Sequence, residues 1–218
     1  MDKTEHLKRD TLLVIGLFFT ALGVAFTKLG ELGVSPISSV ANVMSYQFSA
    51  LTLGNWLIIW NCVLIFGQML LLRRRFQPIQ FLQIPLSFLF GWFTDFGLWL
   101  LSPIPLHTYA ARLGMVLVGI VVLGFGITLT VIGNTIMNSG EAFVKALSDV
   151  SQWDFGSVKV IFDICCVLFA LALSLIFFDG HIVGTREGTV LTALCTGFVV
   201  KLFSRKLTTP LNAWLTRG

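Results

Sequence analysis

The sequence predicts an all-α polytopic membrane protein, with six transmembrane helices forming two inverted three-helix repeats. Three observations support this prediction. First, 56% of the 218 residues are hydrophobic and only 12% are charged, whereas about one quarter of a soluble domain is charged. Second, several apolar stretches reach the length of about 20 residues that crosses a bilayer. Third, the two halves of the chain resemble each other. We therefore treat residues 1–218 as one membrane domain.

Six spans are predicted between polar or Gly/Pro-containing breaks: 11–29, 53–72, 79–101, 113–133, 157–178 and 187–203. The third contains Pro85 and Asp95, which a membrane helix tolerates where neighbouring helices cover them. The sixth is short. The charged N-terminus and the absence of a small-x-small cleavage site predict that the first span is retained.

Lysine and arginine predict the orientation. One set of segment ends carries most cations: Lys3, Lys8, Arg9, Arg73, Arg74, Arg75, Arg205, Lys206 and Arg217. The alternate ends carry Lys28, Arg112 and Arg186. Because cytoplasmic loops are enriched in Lys and Arg, both termini are expected in the cytoplasm.

The internal resemblance follows a constant offset of 103 positions. It aligns Gly16, Gly23, Thr27, Gly30 and Ser45 with Gly119, Gly126, Thr130, Gly133 and Ser148. After one deletion Gly54 meets Gly156 and Asn61 meets Asp163, and Gly91 can be aligned with Gly197. Repeats 11–101 and 113–203 would each hold three spans, so the second would enter the membrane from the opposite side. Inverted repeats recur in secondary transporters, although chance matching of small residues is a competing explanation.

Each half also predicts a short re-entrant or interfacial half-helix after its first span. Ser35 followed by Pro36 is typical of an N-cap with proline at the first helical position. Asn138 with Glu141 three residues later is typical of a capping box. The 11 or 12 helix-compatible residues that follow each cap cover about half a bilayer. Their N-terminal amides would direct partial positive charge toward the protein centre.

The polar residues of these segments and of the spans are candidates for solute binding: Ser35, Ser38, Asn42, Asn61, Asn138, Glu141, Lys145 and Asp163. Glu141 and Lys145 lie on one helical stripe. They form either a surface ion pair on an amphipathic helix or part of a polar cavity. In the cavity, Glu141 would bind a cation or proton and Lys145 would neutralise it when the site is empty.

Charged residues in or beside the spans are candidates for coupling and gating: Asp95, Glu141, Asp163, Arg186 and Glu187. An intramembrane carboxylate is costly unless it pairs, protonates or faces water. Asp163 has Lys159 four residues before it, so a structural ion pair is an alternative. Asp95 either lies deep or near the outer interface. "GTREGT" lacks the P-loop ending, and Arg186 with Glu187 is either a surface pair or a gate.

Six segments resemble the YczE/YyaS/YitT-type family of bacterial integral membrane proteins: "LGVSPISSVANVMS", "LTLGNWLIIWNCVLI", "LQIPLSFLFGWFTDF", "GEAFVKALSD", "VKVIFD" and "VGTREGTVLTALCTG". The resemblance covers nearly the whole chain. It implies a six-span protein of the bacterial inner membrane, and it supplies no general substrate. "FVVKLF" departs from the family pattern, because Lys201 stands where a more neutral stretch is expected.

No sequence motif indicates an enzyme, a metal site or a cofactor: His-x-x-x-His, Cys-x-x-Cys and Gly-x-Ser-x-Gly are all missing. The cations lie at segment ends rather than in a nucleic-acid-binding patch.

The leading hypothesis is a small secondary transporter of an organic solute that works by alternating access. Transport would be coupled to protons through Asp163 or Glu141. The protein would be surrounded by lipid and is compatible with a homodimer. The alternative is a non-transporting membrane partner or regulatory protein. Channel activity is a third possibility.

Overall fold

The computed structural model describes residues 3–216, which form eight α-helices and two short 3-10 turns. The helices are α1 (Lys3–Leu29), α2 (Pro36–Gln47), α3 (Leu53–Leu72), α4 (Gln83–Leu101), α5 (Tyr109–Gly133), α6 (Ser139–Ser151), α7 (Phe155–Phe177) and α8 (Glu187–Thr216). The 3-10 turns, Arg73–Arg75 and Pro78–Leu82, connect α3 to α4. Arg217, one of the cations used for orientation, lies outside the described residues.

Six helical segments of the described chain are long and apolar enough to cross a membrane, which confirms the predicted all-α polytopic class with six spans. They are Thr4–Leu29, Leu53–Arg75, Pro78–Leu101, Tyr109–Gly133, Phe155–Phe177 and Glu187–Leu215. The two remaining helices, α2 and α6, have 12 and 13 residues. At a rise of about 1.5 Å per residue they are too short to span a bilayer.

The last helix is much longer than the short span predicted from hydropathy. It has 30 residues and contains Pro210. Its second half is amphipathic, and Leu207, Leu211 and Leu215 pack on a cluster that includes Leu12 of α1 and Leu129 of α5. Lysine and arginine are good helix formers, so the helix continues beyond its apolar portion because tertiary packing holds one face.

A seam of small residues joins α1 to α5 at the centre of the molecule. A methyl group added at Gly16 would lie 2.8 Å from the Gly126 carbonyl oxygen, and one at Gly23 would lie 2.5 Å from the Leu123 amide nitrogen. The contact pairs advance along α1 as they recede along α5, so the helices run antiparallel. Small side chains let the two backbones approach closely, as is usual for packed membrane helices.

The other helices surround this seam in corresponding pairs. Helix α4 packs on α1, and α8 packs on α5. The half-helix α2 packs on α7, and α6 packs on α3. The largest departure from this correspondence is that α3 packs extensively on α4, whereas α7 and α8 make at most marginal contact.

Candidate solute-binding site

The short connection from α5 to α6 positions the first part of the site. Asn134 ends α5 in the left-handed conformation, with φ 48°, which asparagine adopts more readily than most residues. Asn138 is the N-cap of α6, as predicted, and its side-chain oxygen accepts from the Ser139 amide at 2.9 Å. The cap bond therefore goes to the next residue rather than to the N3 amide of a standard capping box.

Two cavities lie against this connection and α6. The first, about 130 Å³, is lined by Ile127, Thr130, Val131, Asn134, Thr135, Ile136, Met137, Asn138 and Glu141. The second, about 190 Å³, is lined by residues that include Gln77, Gln80, Gln83, Lys145 and Asp149. Ile136 and Met137 line both cavities. Polar groups and space therefore meet at one end of the molecule.

A buried hydrogen-bond network supports the N-terminus of α6. The Gln68 amide of α3 donates to Gln83 at 3.1 Å and to the Ser139 carbonyl oxygen at 3.2 Å. Ser87 of α4 shares a hydrogen bond of 3.1 Å with the Ser139 hydroxyl. All four residues are at most 3% exposed. Because buried polar groups are costly when unpaired, this network holds α6 against α3 and α4.

Glu141 lies half-buried in the first turn of α6, facing the first cavity. Burial raises the pKa of its carboxyl, while the nearby Lys159 ammonium opposes the rise. Lys159 itself donates to both oxygens of Asp163, at 2.5 and 2.6 Å. Within the described residues Glu141 has no ion pair. Because Lys159 is paired with Asp163, the carboxylate of Glu141 is left without a direct cationic partner.

Lys145 does not join Glu141. Its ammonium contacts Asp149 at 2.6 Å, in a pair whose side chains are about half exposed. Glu141 and Lys145 face different cavities, since Glu141 lines the first cavity and Lys145 lines the larger one. The structure therefore supports the surface ion-pair interpretation of Lys145, with Asp149 rather than Glu141 as its partner.

The predicted residues of α2 lie in a closed region at the opposite end. Asn42 accepts from the Lys28 ammonium at 2.6 Å and donates to the Gly184 carbonyl oxygen at 2.6 Å. The same ammonium lies 3.4 Å from the centre of the Tyr46 ring. Burial raises the pKa of the Tyr46 hydroxyl. Asn42 is 1% exposed, so its polar groups are used in holding α1, α2 and the segment before α8 together.

The loop before α2 completes this closure. The Gly188 amide donates to the Leu32 carbonyl oxygen at 2.7 Å. Gly33 has φ 110°, and a methyl group there would collide with the Thr189 hydroxyl. Ser35 is the N-cap of α2, but its hydroxyl donates to the Ser38 hydroxyl at 2.9 Å and accepts no hydrogen bond from the backbone amides of the described helix.

The remaining candidates fall outside both cavities. Asn61 is buried, and no residue that the structure describes accepts a hydrogen bond from its amide nitrogen. Asp95 accepts from the Thr52 hydroxyl at 2.6 Å and the Gly54 amide at 2.9 Å, so it joins α4 to the start of α3. Arg186 and Glu187 form a half-exposed pair at 3.3 Å, at the end where α2 is closed.

Sequence reasoning missed five residues that shape the two ends: Lys28, Gln68, Gln83, Ser87 and Ser139. The available signal was their polarity, because side chains of this kind inside apolar spans need partners. Gln68 and Gln83 stand in "FGQML" and "FLQIP". Their joint role depends on α3 and α4 lying side by side, which no local pattern specifies.

Comparison with known proteins agrees with the resemblance noted from the sequence. The chain is 28% identical over 200 residues to the uncharacterized membrane protein YczE of Bacillus subtilis (strain 168), covering 91% of this chain and 86% of YczE. No solved structure matches this chain. Residues 7–205 match the model of a family of unknown function, DUF6198. This polytopic helical membrane protein therefore belongs to the DUF6198 family, of the YczE type.

Proposed function

We propose that the protein is a secondary transporter of a small organic solute, built from inverted repeats 11–101 and 113–203. Helices α2 and α6 begin at Pro36 and Ser139, 103 positions apart. Glu31 and Asn134, which follow the ends of α1 and α5, have the same offset and similar positive φ values of 55° and 48°. The antiparallel α1 and α5 support opposite membrane orientations for the two halves.

The observation that carries the transport proposal is the contrast between the two half-helices. Cavities of about 130 and 190 Å³ lie against α6. Around α2 the region is closed by two hydrogen bonds, one donated by the Asn42 side chain and one accepted by the Leu32 carbonyl oxygen. In an inverted-repeat transporter, the halves rock around a site near the bilayer midplane. This conformation would be open on the α6 side and closed on the α2 side.

The charges favour a cationic solute, such as a small amine, over a carboxylate. Asp163 already has Lys159 as its partner, and Glu141 faces the cavity without a direct cation. A proton or an ammonium group would neutralise Glu141, so the two compete for one carboxylate. That competition provides the coupling: a proton released at Glu141 is exchanged for the cationic solute.

The distribution of cations supports a cytoplasmic location for the open end and for both termini, in the bacterial inner membrane. Arg74 lies in the turn after α3 at the α6 end, and His107 precedes α5 at the opposite end. Single cysteines at these exposed positions, on a background lacking the four native cysteines, should label from the cytoplasmic and periplasmic sides respectively. Labelling of both from one side would contradict the inverted arrangement.

Transport is tested in proteoliposomes with an imposed pH gradient. Small primary and quaternary amines are compared with carboxylates of similar size. We expect amine uptake that responds to the gradient and is lost in Glu141→Gln. Asp179→Asn is the matched control, because Asp179 is exposed in the turn after α7 and asparagine tolerates its φ of 50°.

Equal uptake by the wild-type protein and Glu141→Gln would overturn the coupling role of Glu141. Uptake of carboxylates alone would overturn the cationic assignment. The absence of uptake for the whole panel, together with no ligand-dependent rise in thermal stability, would favour the alternative function of a non-transporting membrane partner.

A further inference from the structure

In the first half of the molecule α3 and α4 are joined by a compact contact. A methyl group added at Gly91 would lie 2.6 Å from the Gly54 carbonyl oxygen and 2.7 Å from Ile58. At the end of the same interface, the Thr52 hydroxyl donates to Asp95 at 2.6 Å. Thr52 is also the N-cap of α3, where its side chain accepts from the Asn55 amide. Two glycines and one polar pair therefore form this contact.

The second half contains a counterpart for each component, but its helices are apart. The repeat alignment places Gly156 opposite Gly54, and Gly197 opposite Gly91. The same offsets place Asp154 at the position of Thr52 and Lys201 at that of Asp95. Gly197 has no atom within 4 Å of an added methyl group. Val160, the counterpart of the buried Ile58, is 58% exposed.

Two structural features support this alignment independently of the glycines. Asp154 is the N-cap of α7 and accepts from the Ser157 amide, just as Thr52 caps α3. On α8, Val199 packs over Gly124 of α5. Its counterpart Phe93 packs on the cluster that contains Ala21 of α1, the counterpart of Gly124. The aligned residues Val199 and Phe93 therefore both face the central helix pair, each from its own outer helix.

We propose that α7 docks on α8 in a second conformation of the protein, with Gly156 against Gly197 and an ion pair between Asp154 and Lys201. The two side chains have opposite charges and occupy the positions of a hydrogen-bonded pair in the other half. Both are exposed in the present conformation, and the described residues include no salt-bridge partner for Lys201.

This inference rests on the proposed alternating-access function. If the halves exchange conformations during transport, closure of α7 on α8 accompanies separation of α3 from α4. The Asp154–Lys201 pair would then stabilise the state that opens on the α2 side. The Thr52–Asp95 contact stabilises the state described here.

The test is a disulfide between Val160→Cys and Gly197→Cys, on a background in which Cys62, Cys165, Cys166 and Cys195 are replaced. Disulfides require Cα atoms roughly 4.4–6.8 Å apart. The two Cβ atoms of a disulfide lie about 3.8 Å apart. In the present conformation no described atom outside the α8 backbone and the chain neighbours of Gly197 lies within 4 Å of a methyl group at this position, so cross-linking reports the second conformation. We expect an intramolecular cross-link in native membranes, visible as a shifted monomer band after oxidation.

Charge variants test the ion pair on the same cysteine background. Lys201→Asp should lower the cross-linked fraction several-fold, and the swapped pair Asp154→Lys with Lys201→Asp should restore it. Lys206→Asp is the matched control, since Lys206 is an exposed cation of the same helix.

Three outcomes would overturn the proposal: no cross-link between the Val160 and Gly197 positions, a cross-link insensitive to charge reversal at Lys201, or a cross-link only between two copies of the chain. None of these depends on a transport measurement. A charge-sensitive intramolecular cross-link without solute uptake would refute the transport proposal while leaving the α7–α8 contact standing. Solute uptake without the cross-link would refute the α7–α8 contact while leaving the transport proposal standing.

Discussion

The half-helices α2 and α6 begin at matching positions, yet their surroundings differ. Around α2 the polar groups are paired with one another: Lys28 with Asn42, Asn42 with Gly184, and Leu32 with Gly188. Around α6 a buried network fixes the helix start, but Glu141 and the neighbouring connection face open space. The same local design thus lies at a sealed end, where its polar groups are paired, and at an accessible end beside cavities.

The largest effect is expected from breaking the sealed end at Gly33. Gly33→Ala would place a side chain at φ 110° and push its methyl group into Thr189. Such backbone strain costs about 1–2 kcal/mol, and the collision adds to it. We expect a large loss of folded protein, measured by size exclusion and by the apparent Tm in detergent.

Gly180→Ala separates strain from collision. Gly180 has φ 84° and open space around an added methyl group, so only the cost of the backbone conformation should appear. Equal losses from the two variants would show that the collision of the added methyl group with Thr189 adds nothing to the cost of the backbone conformation.

A second, smaller effect distinguishes the two asparagines of the half-helices. Asn42→Ala removes the acceptor of the Lys28 ammonium and the donor to Gly184, and should cost about 2–3 kcal/mol because buried partners are left unpaired. Asn138→Ala removes a helix cap and should cost about 1 kcal/mol. Chemical denaturation of the two variants in the same detergent measures the difference, and a larger loss at Asn138 would contradict the assignment of the sealed end.

The smallest effect depends on pH and concerns Glu141. Because burial raises its pKa, the folded state binds the proton more tightly than the unfolded chain does, and ionisation opposes folding. Glu141→Gln should therefore match the wild-type Tm below the ordinary Glu pKa of about 4.3. The amount by which the Tm of Glu141→Gln exceeds the wild-type Tm should grow as pH rises and level off above the raised pKa of Glu141.

Asp179→Asn provides the control for this titration, since Asp179 is exposed at the other end of the molecule. We expect no comparable growth of its Tm difference with pH. A constant Tm difference for Glu141→Gln across the whole range would show that burial does not perturb this carboxyl.

Much of the architecture follows from local signals. Uninterrupted hydropathy predicts the spans, and the Ser35-Pro36 and Asn138 caps predict the starts of α2 and α6. The length of α8 escaped the same reasoning, because Leu207, Leu211 and Leu215 are held by contacts with α1 and α5. The candidate site was predicted in part: Asn138, Glu141 and Lys145 line cavities, but Lys145 pairs with Asp149 rather than Glu141, and Asn42 is enclosed.

The sequence by itself determined the membrane class, the number of spans and the positions of the half-helices, since each depends on hydrophobic length or on capping within a few residues. Only the tertiary structure decided that Lys28 meets Asn42, that Gln68 meets Gln83 and Ser139, and that Glu141 faces a cavity. The physical reason is that a polar side chain inside a span must find a partner, and that partner is set by which helices pack together rather than by neighbours in the chain.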